Sequence, residues 1–371
     1  MTYALTNMRR VLRELRQERP ADVPARLWRY AKPKLDVLGE EVLYRARLMG
    51  PLAARYRGPG IALMFHEIQS NVDDELRTGC SAGHLRQVIH AVRAAGRDIV
   101  TPDEALRRLG DRQSAPFALL TFDDAYADNR LNALPVLQEL DVPMTLFVPT
   151  GMITREIDAW WLVLRAALRS RSEIALPPME RTFQCPDLAS KTAALRQITA
   201  WVGTDQARAE SLSETLGPLV SDPASLVARY AMDAKDLTQF AQHPLVTIGA
   251  HTKTHRFLSQ LSDGEVLAEF TSNKNYLEAL LGQPVEVLAY PYGTPGACGE
   301  REARLAREAG FKAAFTTRPG HLFPDHLKTP HLLPRIDIGY TPQRRSALFS
   351  RLSGFQRAMT TRWGAPVAVL D

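Results

Sequence analysis

Short apolar runs alternate with amphipathic stretches from the Gly58-Pro59-Gly60 turn onward. Six runs have the length and composition of buried β-strands, at 61–66, 117–124, 144–149, 246–251, 285–291 and 312–317. Helical periodicity follows at 81–95, 128–140, 263–281 and 300–309, and glycines end several of these stretches. Buried strands that alternate with helices are typical of an α/β fold with a parallel sheet, either open or closed into a barrel.

Residues 151–245 interrupt this alternation. They lack clear strand runs and contain helix-like pieces, so the pattern predicts a largely helical insertion between two strands of the sheet. An insertion at this place suits a lid or a substrate-shaping cap. Its Trp160-Trp161 pair could stack on a sugar, although a tryptophan pair on an amphipathic helix is more often core packing.

The two ends of the chain are basic. Residues 1–57 contain 13 lysines and arginines against 6 aspartates and glutamates, within a total net charge of +5. We expect a helical extension packed on its own domain, with peripheral contact to an anionic membrane as the alternative. Nucleic-acid binding is not expected, because no reading motif or stacking aromatics accompany the charges. Residues 341–371 are interpreted as a peripheral basic tail, which leaves 58–340 as the main domain.

Composition describes an ordinary globular protein. The 371 residues are 45% hydrophobic and 23% charged, and no apolar run approaches the roughly 18 residues of a membrane span. No secretory signal is visible at the start. The three cysteines are far apart and odd in number, which suits a reducing compartment, so a cytoplasmic location is expected.

Two adjacent carboxylates, Asp123 and Asp124, end the second apolar run. Chemistry in sheets covered on both faces gathers at the carboxyl ends of the strands. Successive strand residues point to opposite sides, so the two carboxylates are expected to have different surroundings and roles. The simpler interpretation is a pair that caps the following helix.

A pair of histidines, His251 and His255, follows another apolar run. Imidazoles four residues apart can reach one ion, although capping or core hydrogen bonding explains many such pairs. Two imidazoles and one carboxylate would leave open positions for water and substrate, as in catalytic metal sites. A third strand ends in Tyr290-Pro-Tyr-Gly293, a turn that could aim a backbone N–H into the site.

Together these segments resemble the polysaccharide deacetylase family (NodB homology, carbohydrate esterase family 4). Residues 121–129 are similar to its Thr-Phe-Asp-Asp-Gly motif, 251–255 to its His-Ser/Thr-x-x-His motif, and 290–293 to its Pro-Tyr-Gly motif. Residues 63–68 resemble the Met-Tyr-His strand that opens one branch of the family. The resemblance runs from about residue 60 to 340 and implies a distorted (β/α)7 barrel that hydrolyses N-acetyl groups on amino sugars.

The resemblance also implies a role for each matching residue. Asp124, His251 and His255 would bind a divalent metal, with Zn²⁺ as the expected ion, and Asp123 would be the general base. The backbone N–H of Tyr292 would hold the oxyanion, and His66 would be the general acid, with His321 and His331 as alternatives.

Two departures from the family pattern affect this expectation. Ala125 stands where glycine is usual, and Ala289 occupies the place of an arginine that pairs with the base. Arg335 could supply that charge from another strand, or could form an ordinary salt bridge with Asp337.

The expected function is a metal-dependent N-deacetylase that acts on an amino-sugar glycan or on a small or lipid-linked precursor. The alternatives are a metal-dependent amidohydrolase of a non-sugar amide and a non-catalytic glycan-binding member. The presence of Asp123, Asp124, His251 and His255 favours a catalytic protein.

Overall fold

A computed structural model describes residues 35–69, 76, 79–220, 222–339 and 344–368. Residues 1–34, on which most of the predicted basic extension falls, lie outside the described residues. The described strands are β1 (Gly60–Phe65), β2 (Glu67–Gln69), β3 (Gly79–Ser81), β4 (Asp98–Ile99), β5 (Phe117–Asp123), β6 (Met144–Val148), β7 (Glu173–Leu176), β8 (Arg181–Gln184), β9 (Val246–Ala250), β10 (Val287–Ala289), β11 (Ala313–Phe315) and β12 (Ile336–Asp337).

The main sheet is parallel and follows the order β11-β10-β9-β6-β5-β1-β12, with β4 beside the first residues of β5. Leu333 bridges to Phe315 of β11, and Ile336 of β12 pairs with Leu63 of β1, so one short segment joins the two ends of this order. The sheet therefore curls round on itself. This confirms the expected distorted (β/α)7 barrel.

Helices surround the barrel and follow the periodicity of the sequence. The helix Asp263–Leu281 begins with a capping box between Ser262 and Glu265 and ends at Gly282, whose φ is 66°. The α-helices span 35–45, Met49–Leu52, Ala82–Ala94, Pro102–Gly110, Leu134–Leu140, Thr150–Thr154, Trp160–Ser170, Leu188–Val202, Gln206–Leu216, Pro223–Tyr230, Ala234–Ala241, Asp263–Leu281, Glu300–Glu308, Arg345–Leu352 and Phe355–Thr360. A π-helical turn, Asn129–Ala133, precedes Leu134–Leu140.

Residues 149–245 lie between β6 and β9, which pair directly in the sheet. They contain several helices, and also the antiparallel pair β7–β8 that the hydrophobic pattern did not predict. This part has a core of its own, which includes Trp160, Leu164, Ile198 and Leu212. Tyr126 and Phe257 of the barrel loops belong to the same core, so the insertion is packed against the barrel.

The C-terminal residues pack more closely than the predicted peripheral tail implies. Phe355 and Ala358 form a small buried cluster with Met49, Ala53 and Tyr56. The residues before β1 and those after β12 are therefore joined in one structure beside the barrel. Within the described residues, no helix combines the length and apolar character that crossing a bilayer requires.

Candidate functional site

The predicted functional residues collect at one edge of the barrel. β1 ends at Phe65, β5 at Asp123, β9 at Ala250 and β10 at Ala289, so each motif begins at or just after a strand end. Because these strands are parallel, their carboxyl ends face the same side. The sequence argument for one shared site is therefore supported by the topology.

Three side chains converge in the arrangement expected of metal ligands. Ligand atoms of Asp124, His251 and His255 all lie within 4.8 Å of one another, and all three residues are buried. Asp124 Oδ1 is 3.6 Å from His251 Nε2 and 3.4 Å from His255 Nε2. Atoms placed tetrahedrally about 2.1 Å from an ion would be about 3.4 Å apart.

The electrostatics of this group also fit a cation. Burial raises the pKa of the Asp124 carboxyl, and burial together with His251 holds the pKa of His255 well below its usual range. Asp124 Oδ1 is buried and has no hydrogen-bond partner among the described residues. A buried acceptor of this kind needs a compensating positive charge, and a divalent ion between the three donors would provide it.

A hydrogen bond fixes the imidazole of His251, as is usual for metal-binding histidines. Nδ1 of His251 lies 2.7 Å from the carbonyl oxygen of Ala289, so donation there would leave Nε2 as an acceptor facing Asp124. The backbone N–H of His255 donates to Thr252 Oγ1 at 3.1 Å. The histidine loop is therefore oriented by contacts on both sides.

Sequence reasoning missed two residues that support this loop, Glu269 and Asn273. The Glu269 carboxylate accepts hydrogen bonds from the backbone N–H groups of Lys253 and Thr254, both at 2.8 Å. Asn273 Oδ1 accepts from the backbone N–H of His251 at 3.1 Å. The sequence feature that could have indicated them is their spacing of four residues on the helix Asp263–Leu281, which places both on one buried face.

Asp123 is held by Arg335 rather than by the metal-binding group. Two guanidinium nitrogens of Arg335 donate to the two carboxylate oxygens of Asp123, at 2.7 and 2.8 Å. Burial raises the pKa of Asp123, but Arg335 and nearby histidines outweigh it and lower the value to about 2. The charge missing at Ala289 thus comes from the segment that closes the barrel.

Of the three candidate acids, His66 is the one beside the carboxylate pair. Its Nε2 is 4.0 Å from Asp123 Oδ2, and the side chain is 22% exposed. His321 is buried and contacts the carbonyl of Arg351 at 2.9 Å, near the start of β1. His331 is also buried, with Nε2 2.8 Å from the carbonyl of Phe311.

Tyr292 sits in a tight turn at the site. Its φ is 62°, and the next N–H, of Gly293, donates to the carbonyl of Pro291 at 2.6 Å. Only glycine fits at 293, because a Cβ there would lie 2.6 Å from the backbone nitrogen of Thr317. The N–H of Tyr292 makes no hydrogen bond to the described part of the chain, so it is available to a ligand.

The insertion reaches this site through its tryptophans. Nε1 of Trp160 donates to the Tyr292 hydroxyl at 3.0 Å, and Nε1 of Trp161 donates to the Tyr126 hydroxyl at 2.8 Å. The ring of Trp161 lies 5.1 Å from that of His255. Trp160 is buried in the insertion core, as the packing interpretation predicted, whereas Trp161 is half-buried beside the histidine.

Comparisons with known structures find the same fold in other proteins. Solved structures with the same fold include the Streptococcus pyogenes deacetylase PplD in complex with acetate (TM-score 0.52, 18% identity, covering 79% of this chain and 97% of that one). IcaB from Ammonifex degensii gives a TM-score of 0.50 at 18% identity, covering 80% of this chain and 97% of that one. BC0361, a polysaccharide deacetylase from Bacillus cereus, gives a TM-score of 0.50 at 16% identity, covering 79% of this chain and 68% of that one.

A search of curated protein sequences gives no significant match. The model of the family described as polysaccharide deacetylase, however, matches residues 110–314, which is more than half of the chain. This range contains the Asp-Asp, His-x3-His and Pro-Tyr-Gly segments. The chain therefore belongs to the polysaccharide deacetylase family.

Proposed function

We propose that this protein is a metal-dependent hydrolase that removes N-acetyl groups from an amino-sugar glycan or its precursor. The observation that carries the proposal is the convergence of Asp124, His251 and His255 directly beside the Asp123–Arg335 pair. Two imidazoles and one carboxylate form a donor set that suits Zn²⁺ and leaves positions open. When bound, such an ion supplies Lewis-acid activation of an amide carbonyl and of water.

Three further groups have separate roles as base, hydrogen-bond donor and acid. Asp123, ionised because of Arg335, accepts the proton of the attacking water. The free N–H of Tyr292 donates to the oxygen on which negative charge develops, and its rigid turn holds that donor in place. His66, partly exposed at the end of β1, gives a proton to the leaving amine.

The insertion favours a sugar substrate over another amide. Trp161 is half-buried next to His255, where an aromatic face can pack against the apolar side of a pyranose ring. A small or lipid-linked intracellular precursor is the substrate class we propose, and the cytoplasmic location remains a prediction.

Acetate release from a panel of N-acetylated sugars, nucleotide sugars, lipid-linked precursors and simple aryl acetamides tests the proposal. Release from at least one sugar should fall at least about a hundredfold with a chelator, or in Asp124→Ala, and return when Zn²⁺ is added to the chelated enzyme. Asp325→Ala, at an exposed carboxylate paired with Lys328, is the matched control and should remain active.

Either of two results would contradict the mechanism: acetate release that survives both metal removal and Asp124→Ala, or hydrolysis confined to the aryl acetamides. The first would remove the metal from the chemistry, and the second would favour a non-sugar amidohydrolase. Failure to release acetate from any compound, with metal bound, would favour the non-catalytic glycan-binding alternative.

A further inference from the structure

Exposed apolar side chains concentrate in two segments of the chain, one before the first barrel strand and one after the last. Among the described residues, twelve large hydrophobic side chains are exposed, and nine of them belong to two segments, 35–52 and 349–363. Scattered exposed leucines are normal on any protein, but a concentration of this kind marks an interaction site. The nine residues are Leu35, Val37, Leu38, Val42, Leu48, Leu52, Phe349, Met359 and Trp363.

Aromatic contacts hold the two segments against each other. Tyr44 and Phe349 have ring centroids 5.6 Å apart, and Tyr56 and Trp363 have centroids 6.1 Å apart. The buried cluster of Met49, Ala53, Tyr56, Phe355 and Ala358 lies beneath them. We call the exposed residues of 35–57 and 344–363 the terminal face.

The helix at 35–45 presents a regular apolar stripe on this face. Leu35, Leu38 and Val42 are spaced by three and four residues, so they lie on one side of the helix. Their exposed fractions are 52%, 60% and 56%, which means that within the described structure nothing covers the stripe. An apolar stripe of this kind is typical of a helix side that packs against a partner or a lipid surface.

Arginines outnumber acidic residues in both segments. The segments 35–57 and 344–363 contain nine arginines and three acidic residues, and the acidic Glu41 and Glu40 already face Arg45 and Arg344, at 2.6 and 3.5 Å. Exposed arginines occur at 45, 47, 55, 57, 345 and 362. The face is therefore both apolar and strongly positive.

A cleft lies next to the two segments. A cavity of about 600 Å³ lies between the helix Ala82–Ala94 and the two segments. Tyr44, Leu348 and Phe349 contribute apolar walls, and Arg344 and Arg345 also line it. His84, Gln87 and His90 line it as well, so the cavity has mixed polarity, and its two guanidinium groups suit an anionic headgroup.

We propose that the terminal face docks on the surface of an anionic lipid bilayer. Leucine, valine and tryptophan side chains would enter the boundary between headgroups and acyl chains, while the arginines contact lipid phosphates. A second copy of the chain is a poorer occupant, because two such faces would bring their arginines together and repel.

Co-sedimentation of the full-length protein with vesicles tests this proposal. The protein should bind vesicles of phosphatidylcholine and phosphatidylglycerol at 3:1, bind pure phosphatidylcholine weakly, and lose affinity as NaCl is raised. Leu38→Glu should weaken binding about tenfold or more, because it removes an apolar side chain that would enter the bilayer and adds a charge that the anionic lipids repel. Leu131→Glu, at a leucine of nearly equal exposure (58%), adds the same charge elsewhere and should bind like the parent protein.

Three results would overturn the proposal. Binding by Leu38→Glu that equals the parent would place the contact elsewhere, for example in residues 1–34. Equal loss in Leu131→Glu would reduce the effect to net charge. A stable dimer on gel filtration that Leu38→Glu dissociates, without vesicle binding by the parent, would show that a second copy covers the face. Circular dichroism of both variants checks that they are folded.

Discussion

At the scale of single residues, backbone strain gathers around the candidate metal ligands. Asp124 and Ala125 have φ of 72° and 53°, and Thr252, His255 and Tyr292 also have positive values, from 57° to 67°. Such conformations cost about 1–2 kcal/mol for a residue with a Cβ, and they persist where surrounding contacts enforce them. Tertiary contacts therefore hold these residues in backbone conformations that they would not adopt by themselves.

Ala125→Gly should stabilise the protein by about 1 kcal/mol, because glycine adopts this φ without a Cβ penalty. The gain is partly offset by the greater freedom of glycine in the unfolded chain. Urea unfolding measures the change. Ala118→Gly, within β5 where φ is not positive, is the matched control and should destabilise. Equal destabilisation by both substitutions would show that Ala125 is not strained.

The Asp123–Arg335 pair supports a second prediction. Both side chains are nearly inaccessible, with exposed fractions of 3% and 0%. Arg335→Met should cost about 3–5 kcal/mol of unfolding free energy, because it leaves an uncompensated buried carboxylate. Asp123→Leu combined with Arg335→Met should be more stable than Arg335→Met alone.

The exposed ion pair of Arg45 with Glu41 provides the contrast. Arg45→Met should change the unfolding free energy by less than about 1 kcal/mol, because exposed pairs contribute little. A cost at Arg335 as small as this would mean that solvent reaches Asp123 when its partner is removed.

At the scale of elements, the helix Asp263–Leu281 acts as the support of the histidine loop. Glu269 and Asn273 bond to the loop backbone, and Asn273 Nδ2 also donates to the carbonyl of Val148 at the end of β6, at 2.9 Å. The helix thus links β6, β9 and the loop after β9. Ligand geometry depends on this helix, although none of its residues belongs to the three-ligand group.

Glu269→Gln should weaken Zn²⁺ binding about 10–100-fold, because second-layer groups that orient ligands have effects of this size. The amide can accept from the loop only with its single oxygen and carries no charge. Calorimetric titration with Zn²⁺ gives the affinity, and Glu308→Gln, at an exposed glutamate of another helix, should leave it unchanged. Unaltered affinity in Glu269→Gln would mean that the loop keeps its shape without this carboxylate.

At the scale of the whole molecule, the C-terminal segment and the barrel meet at buried polar contacts. His321 contacts the carbonyl of Arg351, and a guanidinium nitrogen of Arg97 lies 3.5 Å from its Nδ1. Burial, assisted by Arg97, lowers the pKa of His321 to about 4. This histidine is therefore neutral in the folded protein at pH values where it would be charged in the unfolded chain.

The unfolding free energy should consequently fall as the pH is lowered from about 6.5 towards 4. In that range the unfolded chain binds a proton at this site and the folded protein does not, so acid favours unfolding by at most about 3 kcal/mol. His321→Gln should flatten the pH dependence between pH 7 and 4.5, and His90→Gln, at an exposed position, should not. Parallel curves for all three proteins would assign the acid sensitivity to other groups.

The long apolar runs were predictable because burial on both faces imposes them, and β5, β6 and β9 match their predicted positions within one residue. β4 and β12, with two residues each, leave no periodic signal, and only their neighbours define them as strands. From the sequence alone, Arg335 could equally have been paired with Asp337, because local sequence does not determine which strands are neighbours. In the sequence, Glu269 cannot be told apart from a solvent-exposed glutamate on a helix. Its role follows only from the position of the loop at 253–254, which is a tertiary contact.

The pairing of β6 with β9 has a consequence for how the chain folds. Val148 pairs with Ala250, which comes about 100 residues later in the chain, so pairing of these strands requires closure of a very long loop. For a flexible chain of this length, closure costs about 4 kcal/mol of entropy. Early formation of the insertion core would shorten the loop, and the folding rate of the barrel would then respond to substitutions that lie outside every barrel strand.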